Sequence, residues 1–406
     1  MTFSNDYLTS FAQENVSFIT RVIRQSSVGD NYWKVLIFVE DDRYVDSTNW
    51  ETVPGASYSY ETEDNPPVTV TITPKALSVT LTDYAISTTG ILNGWLTSLY
   101  ASGFSGDCIL VTCGESAETS AHKAGAMEAA YEVMKPYAYH KTACIGSTGM
   151  DSIVIQALGA KANATYEDKM LSSLPYVQYT ITAYAADKGA EKTAIQSSVD
   201  YQNCTLGDAD AFMAVHADAS KNAALFSLGL ALGYINGTGY RVGNPMEMTK
   251  TGNISSSGLN GEAMPRQNRE AFEELYIQTF KPVGDNSGYV AGYGEKSLKG
   301  EEVVARWVVG YISYMSKVRI AQMITSPGFR KSEVNYKRIV FTMSDIVNTF
   351  SLDNGGCLDN VTITAPAYNQ LPPAKNDEIV IENAWSATFM GVIHDVDITG
   401  NLYIGE

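Results

Sequence analysis

The chain has 406 residues, of which 45% are hydrophobic and 18% charged, and its formal net charge is −17. That length supplies a real core and two or three domains of ordinary size, and the composition excludes a disordered chain. The acidity disfavours direct binding to nucleic-acid phosphates, and no apolar run reaches the roughly 20 residues that a membrane span needs, so no membrane insertion is expected.

The chain opens MTFSNDYLTSFAQENV, without a basic or an apolar leader region, so no secretory signal is expected and the chain should fold in the cytoplasm. YWKVLIFVE (residues 32–40) is continuously apolar at its centre, as in a strand covered on both faces. A turn-rich acidic stretch over 41–66 leads to two period-two strands, VTVTIT (68–73) and LSVTLT (77–82). Near Gly90 the character changes. DCILVTC (107–113) reads as a buried strand, followed by a helix over 116–135 whose core stripe is Ala124, Met127, Tyr131 and Met134. Ser116 is a candidate N-cap for that helix.

The alternation continues with a strand at 142–145, a helix at 151–162, a strand at 176–184, a helix at 189–199, a strand at 211–217 and a helix at 219–235. Strands alternating with helices predict a mainly parallel sheet wrapped by helices. Residues 236–267 read as a long Gly/Ser/Asn-rich loop, followed by a helix near 267–279 and the Gly/Tyr stretch SGYVAGYG (287–294). Two long helices are expected over 300–325 and 332–352, the first apolar on most sides and the second closed by Asn354-Gly355-Gly356. Arg330-Lys331 and Lys337-Arg338 read as a solvated or ion-paired helix face.

The last fifty residues return to strands at 361–364 and 377–383, and then to a final alternating run. There Val392, His394, Val396 and Ile398 share one parity, resumed after Gly400 by Leu402 and Ile404, while Asp395, Asp397 and Thr399 take the other. That is a strand with one buried face, and its aspartates discourage stray edge pairing.

Motifs of catalysis are sparse. The four histidines, His122, His140, His216 and His394, form neither HxH nor HExxH. His216-Ala217-Asp218 invites a metal or triad reading, against the plainer one of a polar residue ending a strand. No GxxxxGK[ST] loop occurs, and the turns at Ser116 and Ser147 fail GxSxG. The five cysteines contain no CxxC pair and read as buried free thiols. No cofactor or metal is expected.

The order of parts resembles contractile phage tail sheath proteins, most closely the short, divergent families. The likeness is carried by YVAGYGEKSL (289–298), then EEVVARWVVGYISY (301–314), a second helix and a proline-punctuated run of closing strands. An Asn- and Arg-rich stretch found in many sheath proteins is replaced here by Ala291-Gly292-Tyr293-Gly294.

The fold class expected is α/β in a mixed α+β chain. A β-rich N-terminal part precedes an α/β body with a mainly parallel sheet, two long helices and closing C-terminal strands. The resemblance implies an N-terminal arm (1–24), a β-rich segment (25–100), the α/β body (101–266), a tube-proximal α+β domain completed by N-terminal strands (267–385) and a C-terminal strand arm (386–406). It further implies hexameric rings stacked around a tail tube protein and bounded by baseplate and tail terminator proteins. Assembly would occur in the host cytoplasm, and the sheath would contract to drive the tube through the host envelope. Val392, His394, Val396, Ile398, Leu402 and Ile404 would then add to a neighbour's sheet. The alternatives are another virion or surface-lattice protein and an α/β hydrolase using Ser116 or Ser147.

Overall fold

A computed structural model describes residues 35–39, 50–79, 91–102, 104, 108–112, 119–134, 141–144, 154–161, 174–205, 210–236, 249–250, 258–283, 286–293, 296–354, 356–371 and 384–390. They form a mixed α+β fold. The first strand, β1 (Val35–Val39), is VLIFV with every residue buried, as its unbroken apolar run requires. β2 (Glu51–Thr52) is short. β3 (Tyr58–Glu61) and β4 (Thr69–Ile72) form an antiparallel hairpin inside the stretch read as turn-rich. β5 (Lys75–Val79) follows, then α1 (Ile91–Ala101), a helix where the sequence shows only a change of character near Gly90.

β6 (Cys108–Thr112) is buried throughout. α2 (Ser120–Met134) buries Ala124, Met127, Tyr131 and Met134, the stripe expected from its spacing. Thr119 caps it, its hydroxyl accepting the amide of His122 at 3.3 Å; the expected cap, Ser116, lies outside the described residues. Next come β7 (Lys141–Cys144), a helical stretch over 154–161 and β8 (Tyr176–Thr180). α3 (Lys188–Ser197) is capped by Asp187, and Ser198 breaks it in an extended conformation before α4 (Val199–Thr205).

β9 (Phe212–His216) is buried throughout, and α5 (Ala223–Asn236) follows it. Within the region read as a loop stand β10 (Thr249–Lys250) and a 3-10 turn at Leu259–Gly261. α6 (Arg266–Glu273) is shorter than the helix expected there, because the chain turns through Tyr276 (φ 59°), with the Ile277 amide donating to Phe272 O at 3.0 Å, before entering β11 (Thr279–Val283). The Gly/Tyr stretch is a strand, β12 (Asn286–Tyr293), antiparallel to both β10 and β11. α7 (Val303–Ile324) and α8 (Glu333–Asn348) follow, of 22 and 16 residues, the second ending four residues before the expected stop. β13 (Leu358–Ile363) and β14 (Trp385–Phe389) close the described chain as an antiparallel ribbon.

The central sheet has the order β2-β5-β6-β1-β7. β1 is parallel to β6 and β7, whereas β5 is antiparallel to β2 and β6. β8 and β9 form a parallel pair, and β7 runs beside β8. Gln278 extends the far edge: its amide donates to Met213 O at 2.8 Å, and its carbonyl accepts from Val215 N at 2.9 Å.

Side chains of alternate parity feed two cores. Val35, Ile37, Leu110, Tyr176 and Phe212 enter one, together with α1, α5 and α7. Leu36, Phe38, Val111, Val177 and Met213 enter the other, together with α2 and α6. Two-sided burial explains the unbroken apolar runs in β1, β6 and β9. Cys108, Cys204 and Cys357 are buried thiols, and burial pushes the Cys357 thiol up to about 12, leaving it protonated and inert.

Candidate assembly surface

Helix α8 has two faces. Its inner stripe, Tyr336, Ile339, Met343, Ile346 and Val347, is buried. These positions fall at steps of three, four and one, the spacing of a core-facing helix. Ser332 caps the helix by accepting the Asn335 amide at 3.3 Å, and the Tyr336 hydroxyl donates to Pro366 O at 2.5 Å. The inner face is therefore fixed both to the core and to the segment after β13.

The outer face places Val334 and Phe341 seven residues apart, 69% and 72% exposed. A phenylalanine so exposed gains little from folding of the subunit. Grooves lie on both sides of it. One, about 640 Å³, runs between α8 and the segment after β13, lined by Lys337, Val340, Phe341, Pro366 and Tyr368. The other, about 450 Å³, lies between α8 and the end of α7, lined by Met323, Val334, Arg338 and Phe341.

Two cations, Lys337 and Arg338, line these grooves, and two more stand just before the helix. Arg330, Lys331, Lys337 and Arg338 are all exposed, and Lys337 pairs with Glu333 at 2.6 Å. Lys337 and Arg338 thus lie on a solvated helix face, as expected from sequence, whereas Arg330 and Lys331 precede the helix and are not part of that face. What the sequence reading did not separate is the apolar stripe lying among the charges. Its signal was available, since Val334 and Phe341 fall on the opposite side from Tyr336, Ile339 and Met343.

The start of α7 is tied to the body by an ionic cluster. Arg306 Nε donates to Glu301 at 2.5 Å, and its Nη2 meets Glu301 and, at 3.5 Å, Asp210. Asp210 also accepts the amides of Ala211 at 2.9 Å and Lys299 at 3.3 Å. Burial pushes the Asp210 carboxyl up, against the pull of Arg306. Beside this cluster a cavity of about 300 Å³ separates α7 from the ribbon, between Val308 and Ile312 on one side and Trp385 and Phe389 on the other.

Of the residues singled out from sequence, His216 ends β9. Its Nδ1 accepts the Asp218 amide at 2.9 Å, while the Asp218 carboxylate takes the amide and hydroxyl of Ser220 at 2.9 and 2.6 Å. The nitrogen that a triad would turn toward a carboxylate is thus held by main chain. His122 stacks on Tyr60, with ring centroids 3.4 Å apart, and holds the β3–β4 hairpin to α2. Ser116, Ser147, His140, and the strand residues Val392, His394, Val396, Ile398, Leu402 and Ile404 lie outside the described residues. So do residues 1–24; of the segment 386–406, Ser386–Phe389 belong to β14 and pair with β13 of the same chain.

Among the described residues no group of three or more His, Cys, Asp or Glu side chains is placed to hold a metal ion, and no helix is long and apolar enough to cross a membrane. No family model, curated protein or solved structure matches the chain.

Proposed function

We propose that the chain is a structural, self-assembling subunit rather than an enzyme, and specifically the sheath subunit of a contractile phage tail. The observation that carries the assembly reading is the outer face of α8, where Val334 and Phe341 stand in solvent between two grooves. Large apolar side chains at the centre of a polar-rimmed surface gain free energy only when a partner covers them. The sheath assignment adds the likeness of residues 289–314 to sheath proteins and the alternating strand pattern from Val392 to Ile404.

On this reading the body is a mainly parallel sheet wrapped by helices, and copies stack as hexameric rings around a tail tube, between baseplate and terminator proteins. The C-terminal segment adds a strand to a neighbour's sheet, and main-chain hydrogen bonds, each worth about 0.5–1.5 kcal/mol net, keep subunits joined while bodies slide. Contraction lowers the free energy of the lattice by repacking rigid bodies and consumes no nucleotide. The particle is a virion tail assembled in the host cytoplasm.

Negative-stain microscopy of the purified chain tests this. Hollow cylinders with a regular axial repeat are the expected result. Flat sheets would favour a surface lattice, and a monomer at every salt concentration would remove the assembly reading.

A further inference from the structure

The tip of the β3–β4 hairpin is the counterpart of the α8 face in both charge and polarity. Glu61, Glu63 and Asp64 are exposed there, followed by exposed Pro66 and Pro67 and by Val68, 53% exposed. Among the described residues none of the three acids is held in an ion pair.

The tip stands on a fixed base. The Thr62 amide donates to Val68 O at 2.9 Å, and the Val68 amide donates to the Thr62 hydroxyl at 3.1 Å. Tyr58 and Tyr60 pack over His122 of α2, and Ser59 and Thr71 share a hydrogen bond of 2.8 Å on the opposite side. The base of the hairpin is therefore preorganised, which lowers the ordering cost of docking its tip.

The α8 face has a groove on either side of Phe341, is apolar at its centre, and carries Lys337 and Arg338 at its rim, with Glu333 paired to Lys337. Within one chain the hairpin packs on α2, whereas α8 packs on α7 and β13. Neither groove beside α8 is lined by a hairpin residue.

We propose that the β3–β4 tip of one copy docks on the outer face of α8 of the next copy. Glu63 and Asp64 would face Lys337 and Arg338, while Pro66, Pro67 and Val68 would cover Phe341 and Val334. The contact joins two different surfaces, so each copy presents one of each and the interaction propagates from copy to copy. In a chain of net charge −17, where most surfaces of two copies repel each other, a local basic rim facing an acidic tip supplies an attractive contact. The inference rests on the assembly reading above and names the surfaces through which assembly proceeds.

A charge exchange in the full chain tests it. One variant carries Lys337→Glu with Arg338→Glu, and the other carries Glu63→Lys with Asp64→Lys. Each alone is expected to need a protein concentration at least about tenfold higher than the native chain to assemble, measured by analytical ultracentrifugation, because like charges then face each other. An equimolar mixture should assemble at near-native concentration, since each acidic α8 face meets a basic tip and each basic face an acidic tip. Recovery in the mixture also shows that both variants are folded.

If either reversal melts well below the native chain, the neutral pair Lys337→Gln with Arg338→Gln replaces it on the α8 side, and Glu63→Gln with Asp64→Gln on the hairpin side. Partial weakening is then expected. Native assembly that neither the reversals nor the neutral variants weaken overturns this contact alone. Folded reversals that fail to recover on mixing also overturn it alone. A native chain that stays monomeric at every concentration and ionic strength overturns the contact and the assembly reading together.

Discussion

Arg306 is 5% exposed and reaches Asp210, 1% exposed, on a part of the chain 96 residues away. Replacing Arg306 by Ala leaves Asp210 buried beside no cation, a change that costs about 3–5 kcal/mol in comparable buried pairs. Lysine should not restore it, because the guanidinium fork reaches two carboxylates at once. The pH dependence has a definite sign. Burial already holds the Asp210 carboxyl above its ordinary value, and Arg306 pulls the other way. Without Arg306 the folded chain binds that proton more tightly than the unfolded chain does. Stability is then retained below the unfolded value and lost as pH rises through the folded one. The deficit of Arg306→Ala relative to the native chain, from urea unfolding, should therefore be larger at pH 8 than at pH 5; an equal deficit at both would show that Asp210 carries none of it. None of this was legible in the sequence, since charge partners so far apart leave no local pattern. Residues whose environment follows from their own run were legible: the stripe of α2 and the buried β1 both came from spacing alone. His216 falls between the two cases. Its position at the end of a strand was readable, but which ring nitrogen is engaged, and by what, depends on the turn that follows.

At the scale of elements, the pairing of α1 with α5 depends on glycine. A Cβ on Gly229 would meet the hydroxyl of Ser102 and the carbonyl of Leu99, and one on Gly94 would meet the carbonyl of Ser220. Two effects oppose each other in Gly229→Ala. Helix propensity favours alanine by about 1 kcal/mol. Overpacking a close contact costs about 1–3 kcal/mol, and here the obstruction includes main chain, which cannot swing away. Steric cost should win, so Gly229→Ala is expected to destabilise by up to about 2 kcal/mol in urea unfolding; a stabilised variant would mean that the helices can separate without penalty. Two strands were masked by their composition. Glycines in SGYVAGYG lowered its strand signal, yet pairing on both sides makes it the eight-residue β12. In β3 the alternation of Tyr58 and Tyr60 with Ser59 and Glu61 is strand-like, but it was submerged in an acidic, turn-rich stretch. Helical periodicity over 303–324 and 333–348 was legible because apolar spacing lasts for several turns; α7 stops shortly before Pro327-Gly328, but α8 ends at Asn348, capped by Thr349, and the Gly355-Gly356 signal lies beyond a separate 3-10 turn.

At the scale of the whole molecule, the order β2-β5-β6-β1-β7 was not readable, because strand order is fixed by which helices fit each face and not by the strands themselves. The boundary between body and C-terminal segment was only partly readable, for a related reason. β14 pairs with β13 from Leu358 opposite Phe389 to Ile363 opposite Trp385, and the Met390 amide donates to Cys357 O at 2.8 Å. Trp385, Ala387 and Phe389 pack toward the core that contains Val308 and Ile312. The ribbon therefore belongs to the subunit that carries it, and a truncation meant to remove only an assembly segment has to begin after Met390. A chain ending at Met390 is expected to melt within about 2 °C of the native chain, since the core contacts of the ribbon are retained. If the pattern from Val392 to Ile404 joins a neighbour's sheet, the same truncation should yield no cylinders in negative stain. A chain ending at Asn383 should behave differently, because losing Trp385 and Phe389 uncovers the apolar side of α7 and should lower the melting temperature markedly. Cylinders formed by the chain ending at Met390 would place the lattice contacts in the body, where the hairpin tip and the α8 face would then have to hold the polymer on their own.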